Sequence, residues 1–475
     1  MSTSSTGLSS LYGGAISTVI DNIENALSGK TAGINVSDTV DALMEVQEEP
    51  ETLMQQQQST IQSQVSALQS LQSQLSTVYD DLNNLTDLSG VFSQNTTGSS
   101  DPGTVSAAAD NTAAAGTHTV TVQSLATTSS SYSGYIASGT SLAGQTITVD
   151  YGPDPSQPLK TDTINIPSDV TTLQDAVNDI NSGGYGVTAS IVSDSTGSRL
   201  LLVANQSGAD NSLTVTDPNL SFTSTAGTDA QLTVDGVPVD SDSNTVTGAI
   251  PGVTLSLGAT TTTPVTISVQ PDVDSISTAI QSFVTDYNTL MSSINTQFTL
   301  NSSTGSEGVL AGDSMLTTLQ SQLLDMMTSS VSGSGQYSNL QSLGIEMQDD
   351  GTLEIDSSTL SAALSSDFSD VQTFFQSAAP AGWGQQADAQ MLQMTDPTDG
   401  PLSLDISGLN QESQDVTDQI SDFQDQMNNV QQQLTTQYDN LNATLMQYPL
   451  LMQETATQLA SLPGAPSTSS SNSSL

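Results

Sequence analysis

His118 is the only imidazole in the chain, and it stands between Thr117 and Thr119 at the start of an alternating segment. As a general base it would need a nucleophile and an orienting carboxylate beside it. Nothing near it in sequence supplies both, so it reads as a strand-surface histidine. A second candidate is Gln348-Asp349-Asp350-Gly351. Aligning Gly351 with the invariant glycine of a calcium loop puts Glu346, Gln348 and Asp350 at ligand positions. The closing position, which requires a bidentate glutamate, is then Ser357. A hairpin turn is the better reading. With no cysteine there is no disulfide, thiolate metal site or cysteine nucleophile. Paired carboxylates could hydrolyse glycans, but such an enzyme needs an aromatic-lined cleft and only 4% of residues are aromatic. Trp383 is either a contact residue or a loop anchor. The expectation is a protein that is not an enzyme, with no metal and no cofactor.

The charge balance narrows the partners. The 475 residues include 50 acids against Lys30, Lys160 and Arg199, a formal net charge of −47. Neutralising nucleic-acid phosphates takes clustered Lys and Arg, and so does holding anionic lipid; neither partner is expected. No window approaches the roughly 20 apolar residues of a membrane span, and Met1 to Ser17 lacks the charge and apolar run of a signal peptide. Loss of bases would spare a protein in acid from a large positive charge once its carboxylates protonate. Compositional drift is the alternative.

The elements that would position these residues fall into two periods. Ile61, Leu68, Leu71, Leu75, Val78, Leu82 and Leu85 follow alternating three- and four-residue steps, broken at Gln64. Ile406, Leu409, Val416, Ile420, Phe423, Met427, Val430 and Leu434 do the same, interrupted at Ser413. Each such stripe needs a partner helix, and the economical solution pairs the two, making everything between them an insertion. Between them the period is two: Val120 and Val122; Ile147, Val149 and Tyr151; Val187 and Ile191; Leu213 and Val215; Val265, Ile267 and Val269. Leu232 and Val234 face Val237 and Val239 across Asp235-Gly236. Further helices are predicted through Leu173, Val177 and Ile180, through Ile276 to Ile294, and from Asp313 to Met326.

The expected fold is α+β and multidomain, a discontinuous terminal helical or coiled-coil domain with inserted β-rich domains. Its parts are flexible terminal helical segments (1–49 and 450–475), a helical leg with a small hairpin (50–91 and 273–449), a β-rich domain (92–127 and 229–272), and an inserted β-rich domain with one helix (128–228). Residues 1–36, rich in Ser, Thr and Gly, read as mobile until bound. Ser37 is expected to cap a short helix ended by Pro50, and Pro449 to break the last long one. Val40, Leu43, Met44, Leu450, Leu451 and Leu459 are apolar yet lie outside the main helices, which suits docking onto another protein.

Five segments carry a family resemblance. They are Gly33-Ile34-Asn35-Val36-Ser37 through Pro50; Gly116 to Ala126; Asn181 with Gly186 to Ser190, Arg199 to Leu202 and Ser207 to Asn211; Phe283 to Asn288 with Leu310 to Asp313; and Leu343-Gly344-Ile345 with Asp350 to Leu353. In order and spacing, over roughly residues 33–455, the chain resembles flagellar hook-associated protein 2, the filament cap of bacterial flagella. The resemblance implies an extracellular homo-oligomer at the flagellar tip, exported through the flagellum's own channel without a cleaved signal. It implies β-domains forming a plate and helical legs that guide incoming flagellin, and in some bacteria adhesion. Implied partners are flagellin, the hook–filament junction proteins and an export chaperone. Thr317, Thr318 and Leu324 stand where the family usually has bases, so its salt bridges between subunits are not carried over. A surface-layer or adhesive β-domain protein with a coiled-coil anchor is the alternative.

Overall fold

The computed structural model describes residues 4–28, 33–137, 139–299, 308–332, 335–378 and 382–461. The tail from Pro463 and the base Lys30 lie outside these residues. Both chain ends enter one helical unit. It contains α1 (Ser4–Leu27), α2 (Val36–Gln47) and α3 (Glu49–Thr86) from the N-terminal side. The residues after the β-units contribute its remaining helices.

Three strands follow α3: β1 (Asn95–Ser99), β2 (Val105–Ala109) and β3 (Gly116–Ser124). The chain then builds a separate unit from β4 (Thr128–Ser133), β5 (Thr146–Tyr151), β6 (Lys160–Asn165), α4 (Leu173–Ser182), β7 (Val187–Asp194), β8 (Gly197–Ser207), β9 (Leu213–Thr216) and β10 (Phe222–Thr225). It returns through β11 (Ala230–Val234), β12 (Val237–Ser241), β13 (Thr245–Ile250), β14 (Val253–Leu257) and β15 (Val265–Pro271).

The returning strands close on the outgoing ones. Sheet order is β1-β15-β3-β11-β12, with a second sheet β13-β14-β2, and every pairing is antiparallel. Val120 lies opposite Val234 and Asn95 opposite Pro271, so each insertion leaves and re-enters through neighbouring strands. Val120, Val122, Leu232, Leu255 and Ile267 fill the space between these sheets. In the inner unit, sheets β10-β4-β8-β7 and β6-β5-β9 enclose Ile147, Val149, Ile164, Leu200 and Leu202, with Val177 and Ile180 of α4 completing the core.

The helical unit resumes with α5 (Val273–Phe298) and α6 (Ser314–Thr328), then the hairpin β16 (Ile345–Met347) and β17 (Leu353–Ile355). Three short helices follow, α7 (Ser357–Ser366), α8 (Phe368–Gln376) and α9 (Trp383–Met394), and the unit ends with α10 (Pro401–Ala460). Its core joins Leu68 to Leu85 of α3 to Ile276, Phe283 and Leu290 of α5, Leu319 and Leu323 of α6, and Trp383 and Met391 of α9.

Two local readings are corrected, the cap of α2 and the end of the last helix. Within the terminal helical segment, residues 4–27 form one helix packed on α2. Asn35, not Ser37, caps α2: its side chain accepts from the Asp38 N–H, while the Ser37 hydroxyl donates to Asp41 one turn on. Helices α7, α8 and α9 fill the leg between the hairpin and the last helix. Pro449 does not end the last helix, which continues through it for a total of 60 residues. A proline removes one backbone donor and crowds the carbonyl of Leu445; in an exposed turn water can satisfy that carbonyl.

Candidate assembly surfaces

Helices α3 and α10 run antiparallel along part of their lengths. Gln72 donates to Ser403 Oγ at 2.8 Å, Gln58 to Thr417 Oγ1 at 2.7 Å, and Gln424 to Glu51 at 2.7 Å. Rising numbers in one helix meet falling numbers in the other. Ile61 and Val416 are buried within this stretch. Leu68, Leu71, Leu75, Val78 and Leu82 are also buried, but in the core shared with α5, α6 and α9; from α10 only Leu402 joins it as a buried residue, with Ile406 and Leu409 packed against it. The remaining members of the second seam, Ile420, Phe423, Met427, Val430 and Leu434, are half-buried. Past Gln424 the partner of α10 is α2, and Met427 and Met44 line one cleft with Asp41, Glu45, Glu48 and Glu51. Each stripe is thus covered by more than one helix.

The terminal apolar positions divide in two. Val40 and Met44 are buried and Leu43 is half-buried, because α2 packs against both α1 and α10. Helix α2 therefore presents no free apolar stripe. At the other end, the Ile34 N–H donates to Asn442 Oδ1 at 2.9 Å. Beyond that contact α10 projects with Leu450, Leu451 and Leu459 exposed at 66%, 62% and 67%, together with Met446, Tyr448 and Met452.

The candidate chemical groups are structural. His118 Nδ1 lies 2.8 Å from Asp235, whose other carboxylate oxygen accepts from the Thr119 N–H and hydroxyl. These bonds hold the Asp235 carboxyl below its ordinary pKa. They fasten the turn of the β11–β12 hairpin, where Asp235 itself sits at φ 51°. Asp350 accepts from the backbone and hydroxyl of Thr352, which makes the suspected calcium loop a hairpin turn. Among the described residues, no group of three or more His, Cys, Asp or Glu side chains could hold a metal ion. Trp383 is fully buried, stacked on Phe374 at 5.5 Å, and its indole N–H donates to the Met326 carbonyl at 3.1 Å.

Residues that sequence reasoning passed over are the asparagines at the joints. Asn181 of α4 donates to the Ala189 carbonyl and accepts from its N–H. Asn288 of α5 does the same to Leu353 in β17, and Asn244 does it to Ala126. A side-chain amide presents a donor and an acceptor side by side, so it replaces a missing strand neighbour. The signal was there in part: Asn181 and Asn288 belong to the segments that carry the family resemblance.

A helical unit built from the N- and C-terminal parts of the described chain, two nested β-units carried on it and an apolar helix end exposed among the described residues define a modular assembly protein. Residues 32–129 match the model of the flagellar hook-associated protein 2 N-terminus, and residues 227–449 match that of its C-terminus. The chain belongs to the flagellar hook-associated protein 2 family. The stretch between the two matches, 130–226, coincides with the inner β-unit. The B-type flagellar hook-associated protein 2 of Pseudomonas aeruginosa is 29% identical over 408 residues, covering 78% of this chain and 84% of that one. The Escherichia coli K12 protein is 32% identical over 251 residues, 47% of this chain and 53% of its own. The crystal structure of the Escherichia coli flagellar cap protein FliD, domains D1-D2-D3, superposes with a TM-score of 0.58 at 29% identity, over 72% of this chain and 99% of that one.

Proposed function

We propose that this chain is the flagellar filament cap: copies assemble into a plate at the filament tip and guide the polymerisation of flagellin. The observation that carries the reading is the likeness to a solved cap fragment of three domains, which takes in 99% of that fragment and 72% of this chain, together with a helical unit and two β-units here. The β-units form the plate and the helical units descend as legs. The projecting end of α10, with Leu450, Leu451 and Leu459, docks on the filament or on the hook–filament junction proteins. Its action is steric and templating, so it needs no catalytic group or cofactor. The tip lies outside the cell, and an export chaperone would shield the apolar ends before export. Among the described residues no helix is long and apolar enough to cross a membrane.

The test is deletion of the gene. The expected result is cells with hooks but no filaments and with flagellin free in the medium, restored by the gene in trans. Normal filaments on the deletion strain overturn the proposal. Electron microscopy of the purified protein separates a cap, which gives small closed rings, from a surface-layer protein, which gives extended lattices.

A further inference from the structure

Positions 31–117 and 200–475 contain no Lys, Arg or His. The helical core is assembled from these stretches, yet it places carboxylates face to face between its helices. Asp81 of α3 stands within hydrogen-bonding reach of Asp286 of α5, with Asp80 beside it on its own helix. Asp405 of α10 stands in the same relation to Asp313, the N-cap of α6. One oxygen of each, Asp81 Oδ2 and Asp405 Oδ2, is buried without a donor. Asp313 already accepts from the N–H groups of Met315 and Leu316. Two ionised carboxylates can only accept, so such a pair is repulsive and leaves a buried oxygen unpaired. One shared proton turns the same geometry into an O–H···O⁻ bond, among the stronger hydrogen bonds of a protein. No cationic side chain in these stretches can do that work instead.

We propose that Asp81–Asp286 and Asp405–Asp313 are proton-operated latches, which fasten α3 to α5 and α10 to α6 as the pH falls and loosen those joints as it rises. Burial, then the facing carboxylate, pushes both Asp81 and Asp405 up to about 6 from 3.8. An acid with a higher pKa in the folded than in the unfolded chain takes up its proton first in the folded chain. The latch is therefore closed below the unfolded value and is lost as pH rises through the folded one, a window of about pH 4 to 6. With solvent screening allowed for, each pair shifts the folding equilibrium on the order of tenfold across that window.

The test compares melting of the full chain at about pH 5 and about pH 8 in three forms. Wild type is expected to melt higher in acid. Asp81→Asn/Asp405→Asn, whose amides donate to the facing carboxylates at any pH, is expected to melt higher than wild type at pH 8 and to lose most of the difference. Asp422→Asn/Asp425→Asn removes the same two charges from exposed positions on α10 and is expected to keep it. An equal pH dependence in the two double variants overturns the proposal. Infrared spectra of folded wild type give a readout independent of the variants: a protonated-carboxyl band is expected to grow as pH falls through 6, and its absence overturns the proposal as well.

Discussion

At the scale of single residues, amides, hydroxyls and aromatic rings hold joints that many proteins hold with ion pairs. Asn181, Asn288 and Asn244 each clasp the backbone of a neighbouring element at two points. The serines of β4 work inward: Ser129 accepts from the Leu213 N–H and donates to the Thr225 carbonyl, and Ser133 accepts from the Leu200 N–H. Trp383 is the largest apolar anchor, placed between two glycines. A Cβ on Gly384 would sit 2.3 Å from the Phe375 carbonyl and one on Gly382 1.8 Å from that of Ser377, so the backbone reaches the core only without side chains there. Trp383→Ala should cost about 3–5 kcal/mol, measured by chemical denaturation; a loss under about 1 kcal/mol would mean that the indole is not what holds α9 to the core. Sequence left this residue undecided between a contact residue and a loop anchor, because a lone tryptophan in a glycine-rich stretch has no periodic neighbours to give it a face.

At the scale of elements, what could be read depended on whether buried positions are apolar. Strands form where Val, Ile and Leu recur at every second position, and the Asp235-Gly236 hairpin follows the predicted register, with Val234 opposite Val237 and Leu232 opposite Val239. Strand β4 escaped notice because its buried positions are Ser129, Ser131 and Ser133, whose polarity hides the alternation. Helix α1 is rich in Ser and Gly, poor helix formers, and it owes its form to packing on α2. The two seams were plain, yet a stripe of apolar residues says only that it is covered, not by which helix. In α3 the cover passes from α10 to α5 and α9 along its length. The end of α10 is different, since among the described residues nothing covers Leu450, Leu451 or Leu459. Removing residues 450–475 should therefore leave the melting temperature of the folded core unchanged within about 1 °C while abolishing filament growth in a complementation assay. A large drop in melting temperature would show that this segment serves the fold instead.

At the scale of the whole molecule, the carboxylates act in two opposed sets. Bonds from Ser358 and Thr359 hold Asp356 down to about 2, and bonds from Thr196 and Tyr135 do the same for Asp194. Such groups stabilise the fold above the unfolded pKa near 3.8, and that contribution is lost as pH falls toward 2. Asp81 and Asp405, raised to about 6, act in the other direction and weaken the fold as pH rises from about 4 to 6. Together they place maximum stability at about pH 4–5, lower than the usual range of about 5–8. Melting temperatures across pH 2–8 at fixed ionic strength check this, and a maximum at or above neutrality would contradict it. The same profile separates acid adaptation from drift, because only adaptation requires the helices to survive well below neutrality.

Sequence alone determined the period of most elements, the nesting of one β-unit within another, and the absence of cations to pair with 50 acids. These follow from residue type and spacing, which are local. The tertiary structure decided which helix covers each stripe, that α2 is buried while the end of α10 is not, and that His118, Asp350 and Trp383 serve turns and core. It also decided which carboxylates must face each other. Partners of this kind lie far apart along the chain, up to hundreds of residues as in Glu51 and Gln424, and only the folded chain selects them.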